Sequence, residues 1–262
     1  MLPRHRITVV AKHPKLKNLD PADTLGMADK DEGERIAADA AERIGALQGR
    51  LIMEARRSVL VVLQGTDASG KDGSTRAILG ALNPMLVRMA GFKKPTTLEL
   101  AHDFLWRVHA VLPARGEVGI FNRSHYEDIL AVRVEKIAPE SVWRPRYQAI
   151  LDFEANLVRE GTVIRKFMLC ISKDEQLKRL EERRDDPTKR WKYSPGDMER
   201  RERWDDYVEA YQDVLEKTST DKAPWEVVPA DHKWVRNARI LSVLADTLEG
   251  MNLPPAELPD AR

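Results

Sequence analysis

The sequence predicts an α/β fold, a parallel central sheet between two layers of helices. Three observations point there. Short β-branched runs alternate with stretches of helical periodicity. The best of these runs, Val59-Leu60-Val61-Val62-Leu63, is apolar at every position, as a strand covered on both faces must be. That run leads straight into a Gly-rich turn and then a helix.

Taken in order, residues 1–30 read as an extended arm broken by Pro3, Pro14 and Pro21. Over 32–57 the apolar positions Ile36, Ala40, Ile44, Leu47 and Leu51 recur at helical spacing. A strand is expected over 58–64 and a helix over 71–82. Residues 85–92 read as a strand, 97–112 as a helix starting at Thr96 or Thr97, and 116–121 as a strand. Two helices follow over 124–136 and 141–159, then a strand over 162–171, with Ser172 as the N-cap of the next helix. A last strand over 225–228 and a last helix over 231–251 complete the pattern. No internal repeat or low-complexity linker divides it, so residues 31–252 form one domain. This domain includes an excursion at about 183–222, and 253–262 is a proline-containing tail.

The 262 residues suffice for one large core without disulfides or a structural metal. The single cysteine, Cys170, lies in an apolar run and reads as a buried strand thiol rather than a nucleophile. The 43 basic and 42 acidic residues nearly cancel, so a polyanionic partner must be held by a local patch, not by the field of the whole molecule. That balance argues against nucleic-acid binding. No apolar run is long enough to span a membrane, and the basic N-terminus lacks the apolar stretch of a signal peptide, so a cytoplasmic protein is expected.

The central chemical signal is Gly65-Thr66-Asp67-Ala68-Ser69-Gly70-Lys71-Asp72-Gly73. It has GxxxxGK spacing, follows a strand and opens a helix, the context that makes the pattern a phosphate-binding P-loop. Backbone N–H groups of Gly65, Ala68, Ser69, Gly70, Asp72 and Gly73 are expected around a phosphate at the positive helix N-terminus, with Lys71 bridging phosphate groups. Asp72 stands where such loops carry a Ser or Thr that ligates Mg²⁺. Asp67 would repel a phosphate unless a metal lay between them, so it reads as a metal ligand, with turn geometry as the competing reason for an Asp there.

A second cluster follows the strand ending at Phe121: Asn122-Arg123-Ser124-His125-Tyr126-Glu127-Asp128. A neighbouring strand end supplies a metal-holding acid in P-loop folds. Here Asn122 offers an oxygen without charge, and Glu127 or Asp128 offers the charge. Arg123 is placed to neutralise charge that builds up in transfer. A helix start capped by Ser124 accounts for the two acids singly, but poorly for Asn122 and Arg123. The excursion carries Arg183, Arg184, Lys189, Arg190, Lys192, Arg200, Arg201 and Arg203, and is expected to close over phosphates. Within it, 199–209 reads as a solvated helix face of paired charges. His102 and His109, seven apart on the expected 97–112 helix, share a face and line substrate or the interior, while Phe104 and Trp106 read as core.

These strings resemble the polyphosphate kinase 2 family. The likeness is carried by the loop with its internal Asp, His102-Asp103-Phe104-Leu105-Trp106-Arg107, 121–128, Asp186-Pro187-Thr188-Lys189-Arg190-Trp191-Lys192, Ala223-Pro224-Trp225 and Val228-Pro229-Ala230-Asp231, from about Gly33 to Asn252. The resemblance implies a P-loop kinase fold with a helical lid. It implies reversible phosphoryl transfer between inorganic polyphosphate and AMP, ADP or ATP, with Mg²⁺ or Mn²⁺, in a homodimer or homotetramer. It further implies catalytic roles for Asp67, Lys71 and Arg123, and phosphate contacts from Arg183, Lys189 and Lys192. Metal ligation falls to Asp67, Asn122 and Glu127, and substrate binding to His102, Asp103, Arg107, Glu127 and Asp128. Asn122, where many members carry Asp, resembles the class III subgroup, which phosphorylates both AMP and ADP. The rival readings are an ATP-dependent P-loop kinase and a non-catalytic nucleotide-binding module.

Overall fold

A computed structural model describes residues 15–255; the outer parts of the expected arm (1–14) and tail (256–262) lie outside the described residues. The expected alternation is present. Helix α1 (Lys30–Glu54) starts at Asp29, whose carboxylate accepts the Glu32 N–H at 2.8 Å, a regular N-cap. Strand β1 (Ser58–Gly65) is buried at all eight positions. Then come α2 (Lys71–Gly80), β2 (Val87–Ala90), β3 (Val118–Asn122), α3 (Arg146–Arg159), β4 (Thr162–Cys170) and α4 (Lys173–Asp185). Ser172 caps α4 as expected, accepting the Glu175 N–H at 3.1 Å. Helices α5 (Pro195–Glu202) and α6 (Trp204–Thr218), strand β5 (Trp225–Pro229) and helix α7 (Lys233–Gly250) complete the chain.

The five strands form one parallel sheet in the order β2-β3-β1-β4-β5. Alternate residues of the central strands feed two cores. Val59, Val61, Leu63 and Phe167 pack under α1, α2 and α7 through Ile44, Ile78 and Leu244. Leu60, Val62, Phe121 and Met168 pack under α3 and α6 through Phe153 and Val214. This is the three-layer P-loop kinase arrangement. It brings the carboxyl ends of β1 and β3 side by side, since Leu63 is in register with Asn122.

Four expectations need correction. The 97–112 segment is not one helix: it forms two short turns, Thr97–Leu100 and Trp106–His109. Between them Asp103 accepts the Leu105 N–H at 3.0 Å, a local side-chain turn that competes with helix. His102 therefore does not share a face with His109; it stacks on Trp106, which is exposed rather than core, while His109 meets Phe153 edge-on. Residues 124–136 likewise split into a 3-10 turn, His125–Asp128, and a short helix, Ala131–Val134. Residues 141–159 split at Pro145. Finally, 199–209 is a solvated face only in part: Glu199, Glu202, Arg203, Asp205, Asp206 and Glu209 are exposed as expected, but Tyr207 is buried in the core and Arg200 points into the site described below.

Candidate active site

The P-loop is shaped by backbone that side chains resist. Gly65 and Gly70 have φ of +145° and +108°, open to glycine alone without strain. Ala68 and Arg123 also sit at positive φ, 63° and 64°, where a non-glycine residue is strained; such positions cluster at functional sites. Arg123 is held there by its N–H, which donates to Leu63 O at 3.1 Å.

Lys71 folds back over the loop, donating to Gly65 O at 2.6 Å and Thr66 O at 2.9 Å. Burial, reinforced by the charge of Arg123, pulls its ammonium down to about 8. Asp67 lies beside it. One carboxylate oxygen pairs with Arg123, and the other accepts from Arg200 Nε at 2.5 Å. Burial works to raise Asp67, but Arg123, Lys71 and Arg200 together hold it down at about 2. Arg123 also meets Glu127 at 3.5 Å, and Gln64 at the end of β1 bridges Ser124 and Glu127 at 3.0 and 3.1 Å. Cations from three separate elements thus surround one ionised carboxylate in a cleft walled by Trp204, Tyr207 and Tyr211.

The loop's far edge engages the excursion. Asp72 accepts from Asn122 Nδ2 and from Lys192 Nζ, both at 2.9 Å. Burial tends to raise Asp72, yet these partners leave its carboxyl below the usual range. Arg183 reaches Asp197 at 3.5 Å, and Asp197 also pairs with Arg200, so Arg183 joins the site at one remove.

Other sequence candidates sit elsewhere. Lys189 pairs with Asp186 at 3.0 Å on the surface. Arg107 is buried, donating to Lys93 O at 2.8 Å and to Asp128 at 3.1 Å, while Asp128 also takes Arg146 at 3.3 Å. His102 and Asp103 are exposed, with the contacts given above. Cys170 is partly buried, and burial pushes its thiol up to about 12, as expected of an inert strand cysteine.

Four residues escaped the sequence reading. Arg200 was one basic residue among many, and only folding shows that it reaches Asp67. Arg179 donates to Ala68 O at 3.1 Å, Ala230 O at 2.8 Å and Asp231 O at 2.6 Å, turning loop carbonyls outward and so leaving N–H groups to face a phosphate. Gln176 donates to Asp67 O at 3.0 Å to the same end. Arg236 lies against Gly70 and Gly73.

Comparison with known proteins decides the family. Residues 27–255 match the family model described as Polyphosphate kinase 2. The chain belongs to the polyphosphate kinase 2 family. Among curated members it is 49% identical over 241 residues to the AMP/ADP-polyphosphate phosphotransferase of Meiothermus ruber, covering 90% of this chain and 89% of that one. It is 42% identical over 247 residues to the ADP-polyphosphate phosphotransferase of Rhodopseudomonas palustris, covering 89% and 85%. The crystal structure of polyphosphate kinase 2 from Arthrobacter aurescens TC1 superposes with a TM-score of 0.91 at 43% identity, over 97% of this chain and 92% of that one.

Proposed function

We propose that the chain transfers phosphoryl groups reversibly between inorganic polyphosphate and AMP or ADP. The observation that carries this reading is the convergence of Lys71, Arg123 and Arg200 on Asp67 at the mouth of the P-loop. A nucleotide phosphate has its second pKa near 6, so it is largely ionised at pH 7 and needs no strong general base. The difficulty is to hold two polyanions in line against their repulsion, which a ring of fixed cations does. The names of the two curated relatives support polyphosphate as donor and adenine nucleotides as acceptors.

In this reading the P-loop and Lys71 take the donor, and Arg123 stabilises charge on the group in transit. The cleft walled by Trp204, Tyr207 and Tyr211 takes the nucleotide, with Glu127 at its edge. The excursion at about 183–222 acts as a lid, Arg183 and Lys192 contacting phosphates. Asp67 and Glu127 meet the two terminal nitrogens of the Arg123 guanidinium, so both carboxylates border the same cleft. That fits Mg²⁺ or Mn²⁺, which takes one or two protein carboxylates and completes its shell with phosphates and water. Among the described residues no group of three or more candidate ligands occurs, and Asn122 makes its contact with Asp72. When bound, the metal supplies neutralising charge between the phosphates. The family resemblance extends the reading to a cytoplasmic homodimer or homotetramer.

The test is direct. Purified protein is mixed with Mg²⁺, long-chain polyphosphate and AMP, and ADP and ATP are followed by chromatography beside a control with ATP as sole donor. ADP followed by ATP is the expected result. Transfer in the ATP control alone would overturn polyphosphate as donor.

A further inference from the structure

One face of β4 carries a charge where its alternation calls for an apolar residue. Lys166 lies between Ile164 and Met168 on the face that packs under α3 and α6, and its side chain is fully buried. Its Nζ uses all three donors inside the protein: on Glu154 Oε2 of α3 at 2.6 Å, on the Tyr126 hydroxyl at 2.9 Å, and on the carbonyl of Thr218, the last residue of α6, at 2.8 Å. The other Glu154 oxygen accepts the Tyr126 hydroxyl at 2.8 Å and faces His125 Nε2 at 3.4 Å. Glu154, His125 and Tyr126 are buried as deeply as the lysine.

Such a pair is a poor source of stability. Taking two charges out of water costs about what their attraction returns, and apolar side chains of similar volume often do as well or better. What a fully satisfied polar network adds is a unique arrangement of the segments that it joins. Here it joins two segments of the site. The first is the 3-10 turn His125–Asp128, held by the Tyr126 hydroxyl and, at its start, by Ser124 Oγ, which accepts the Tyr126 N–H at 3.2 Å. Arg123 lies between the end of β3 and this pinned turn, at φ of 64°, with its guanidinium on Asp67 and Glu127. The second segment is α6, which carries Tyr207 and Tyr211, two walls of the cleft. Its last residue is fixed twice, since Thr218 Oγ1 also accepts Trp225 Nε1–H at 2.9 Å. One ammonium therefore ties the turn beside Arg123 to the helix that walls the cleft.

We infer that Lys166 and Glu154 are a positioning pair for phosphoryl transfer: through Tyr126 they set the turn that aims Arg123 at the group in transit. By its contacts the pair is scaffold, and what it holds in place is the arginine. The inference rests on the role proposed above for Arg123. Neither residue lines the cleft, and no bond is made or broken at the pair.

The experiment replaces the pair as a unit, Lys166→Met with Glu154→Leu, in wild type and in Arg123→Lys. The denaturant midpoint, kcat and the KM for polyphosphate are measured with Mg²⁺ and AMP. Removing either partner alone should lower the midpoint, because it strands the other in the core. The double replacement should bring the midpoint back near wild type and leave KM close to it, while kcat falls on the order of 100-fold, the scale of a group about 1 Å out of place. In Arg123→Lys, where the aim is already lost, the same replacement should cost kcat far less, since two changes that act through one group do not add. Wild-type kcat in the double replacement overturns the inference. So does an equal loss of kcat with and without Arg123, which marks a general loosening of the core. Should the double replacement not fold, Tyr126→Phe takes its place. It removes one hydroxyl and keeps the ring, and kcat should fall several-fold in wild type but not in Arg123→Lys; unchanged kcat in wild type overturns the inference. Wild-type turnover in Arg123→Lys would remove the role of Arg123, and the inference with it. Transfer from ATP but not from polyphosphate would defeat the donor assignment alone, and the same cycle run with ATP would still decide the pair.

Discussion

Two arginines press on the same loop from neighbouring helices, Arg179 from α4 and Arg236 from α7, and both are almost completely buried. On the α4 side every direction of the guanidinium is spent on protein: loop carbonyls, the carbonyls of Ala230 and Asp231, and Glu175 at 2.8 Å. On the α7 side a neutral amide is the sole hydrogen-bond partner among the described residues. A buried cation whose donors are satisfied within the fold is scaffold. The same distinction separates Arg107, closed on Asp128 and Lys93, from Arg123, which shares its charge with Asp67 at an open cleft. It predicts that changes on the two sides fail differently, one in stability and the other in turnover.

The largest effect is expected at Asp67. Asp67→Asn keeps the shape and removes the charge that Arg123, Lys71 and Arg200 share. Transfer should fall by about 10³-fold or more, the scale of losing one preorganised electrostatic group, while the fold persists. Turnover close to wild type would remove Asp67 from the mechanism and make its ion pairs mere scaffold.

Arg179→Met should behave the opposite way. It strands the carbonyls of Ala68, Ala230 and Asp231 and leaves Glu175 with Lys178 alone, at 3.7 Å. A loss on the order of 3 kcal/mol is expected, read as a lower denaturant midpoint, with phosphate affinity falling because the loop is no longer held. Unchanged stability with weakened donor binding would make Arg179 a donor-binding residue rather than scaffold.

Lys71 sharpens the contrast through pH. Its ammonium sits at about 8 in the fold, first because it is buried and then because Arg123 is near. As pH rises through that value the charge is lost, so kcat/KM for polyphosphate should fall about tenfold per pH unit above roughly 8. Stability moves the other way. A lysine whose folded value lies below its unfolded value of about 10.5 destabilises the fold while charged, and that cost is relieved as pH climbs from 8 toward 10.5. Activity should therefore drop where the contribution of this group to stability improves. Asp67, held at about 2, does not titrate in the window. Lys71→Arg should abolish the alkaline limb, and a limb that survives in it belongs to another group.

How much of this was legible in sequence follows from the range of the interactions. Strands β1, β3 and β4, the loop and the pair Asp67 and Lys71 are local signals: continuous β-branched runs, glycines at fixed offsets, and a Lys opening a helix. Arg123 was legible because it directly follows a strand whose end must lie beside the loop. Arg200 was not, since it touches Asp67 across 133 residues and is one of eight cations in its stretch. Arg179 and Arg236 were hidden for the same reason: only the packing of α4 and α7 brings them to the loop. The break in 97–112 was missed because Asp103 captures the Leu105 N–H, a two-residue contact that outweighs a weak helical period. A usable sign for Arg236 did exist: Gly73, two positions beyond Lys71, has no phosphate-loop duty that demands glycine, and a neighbour that needs the space is the remaining reason for it.

The smallest effect is expected where the lid meets the loop. Lys192 pairs with Asp72 at 2.9 Å, but Asp72 is 56% exposed, and exposed ion pairs contribute between zero and about 1 kcal/mol. Lys192→Ala should leave the unfolding midpoint almost unchanged. Asp72 then keeps only Asn122, and the excursion loses its one described contact with the first turn of α2. The consequence belongs in the kinetics. The KM for polyphosphate should rise severalfold at low ionic strength and approach wild type at high salt, where the long-range part of the attraction is screened. A KM that rises equally at every ionic strength would mean that Lys192 touches a phosphate at close range, as Arg123 is proposed to do. A KM that does not move at all would make Lys192 a surface residue and narrow the lid's share of the site to Arg183 and Arg200.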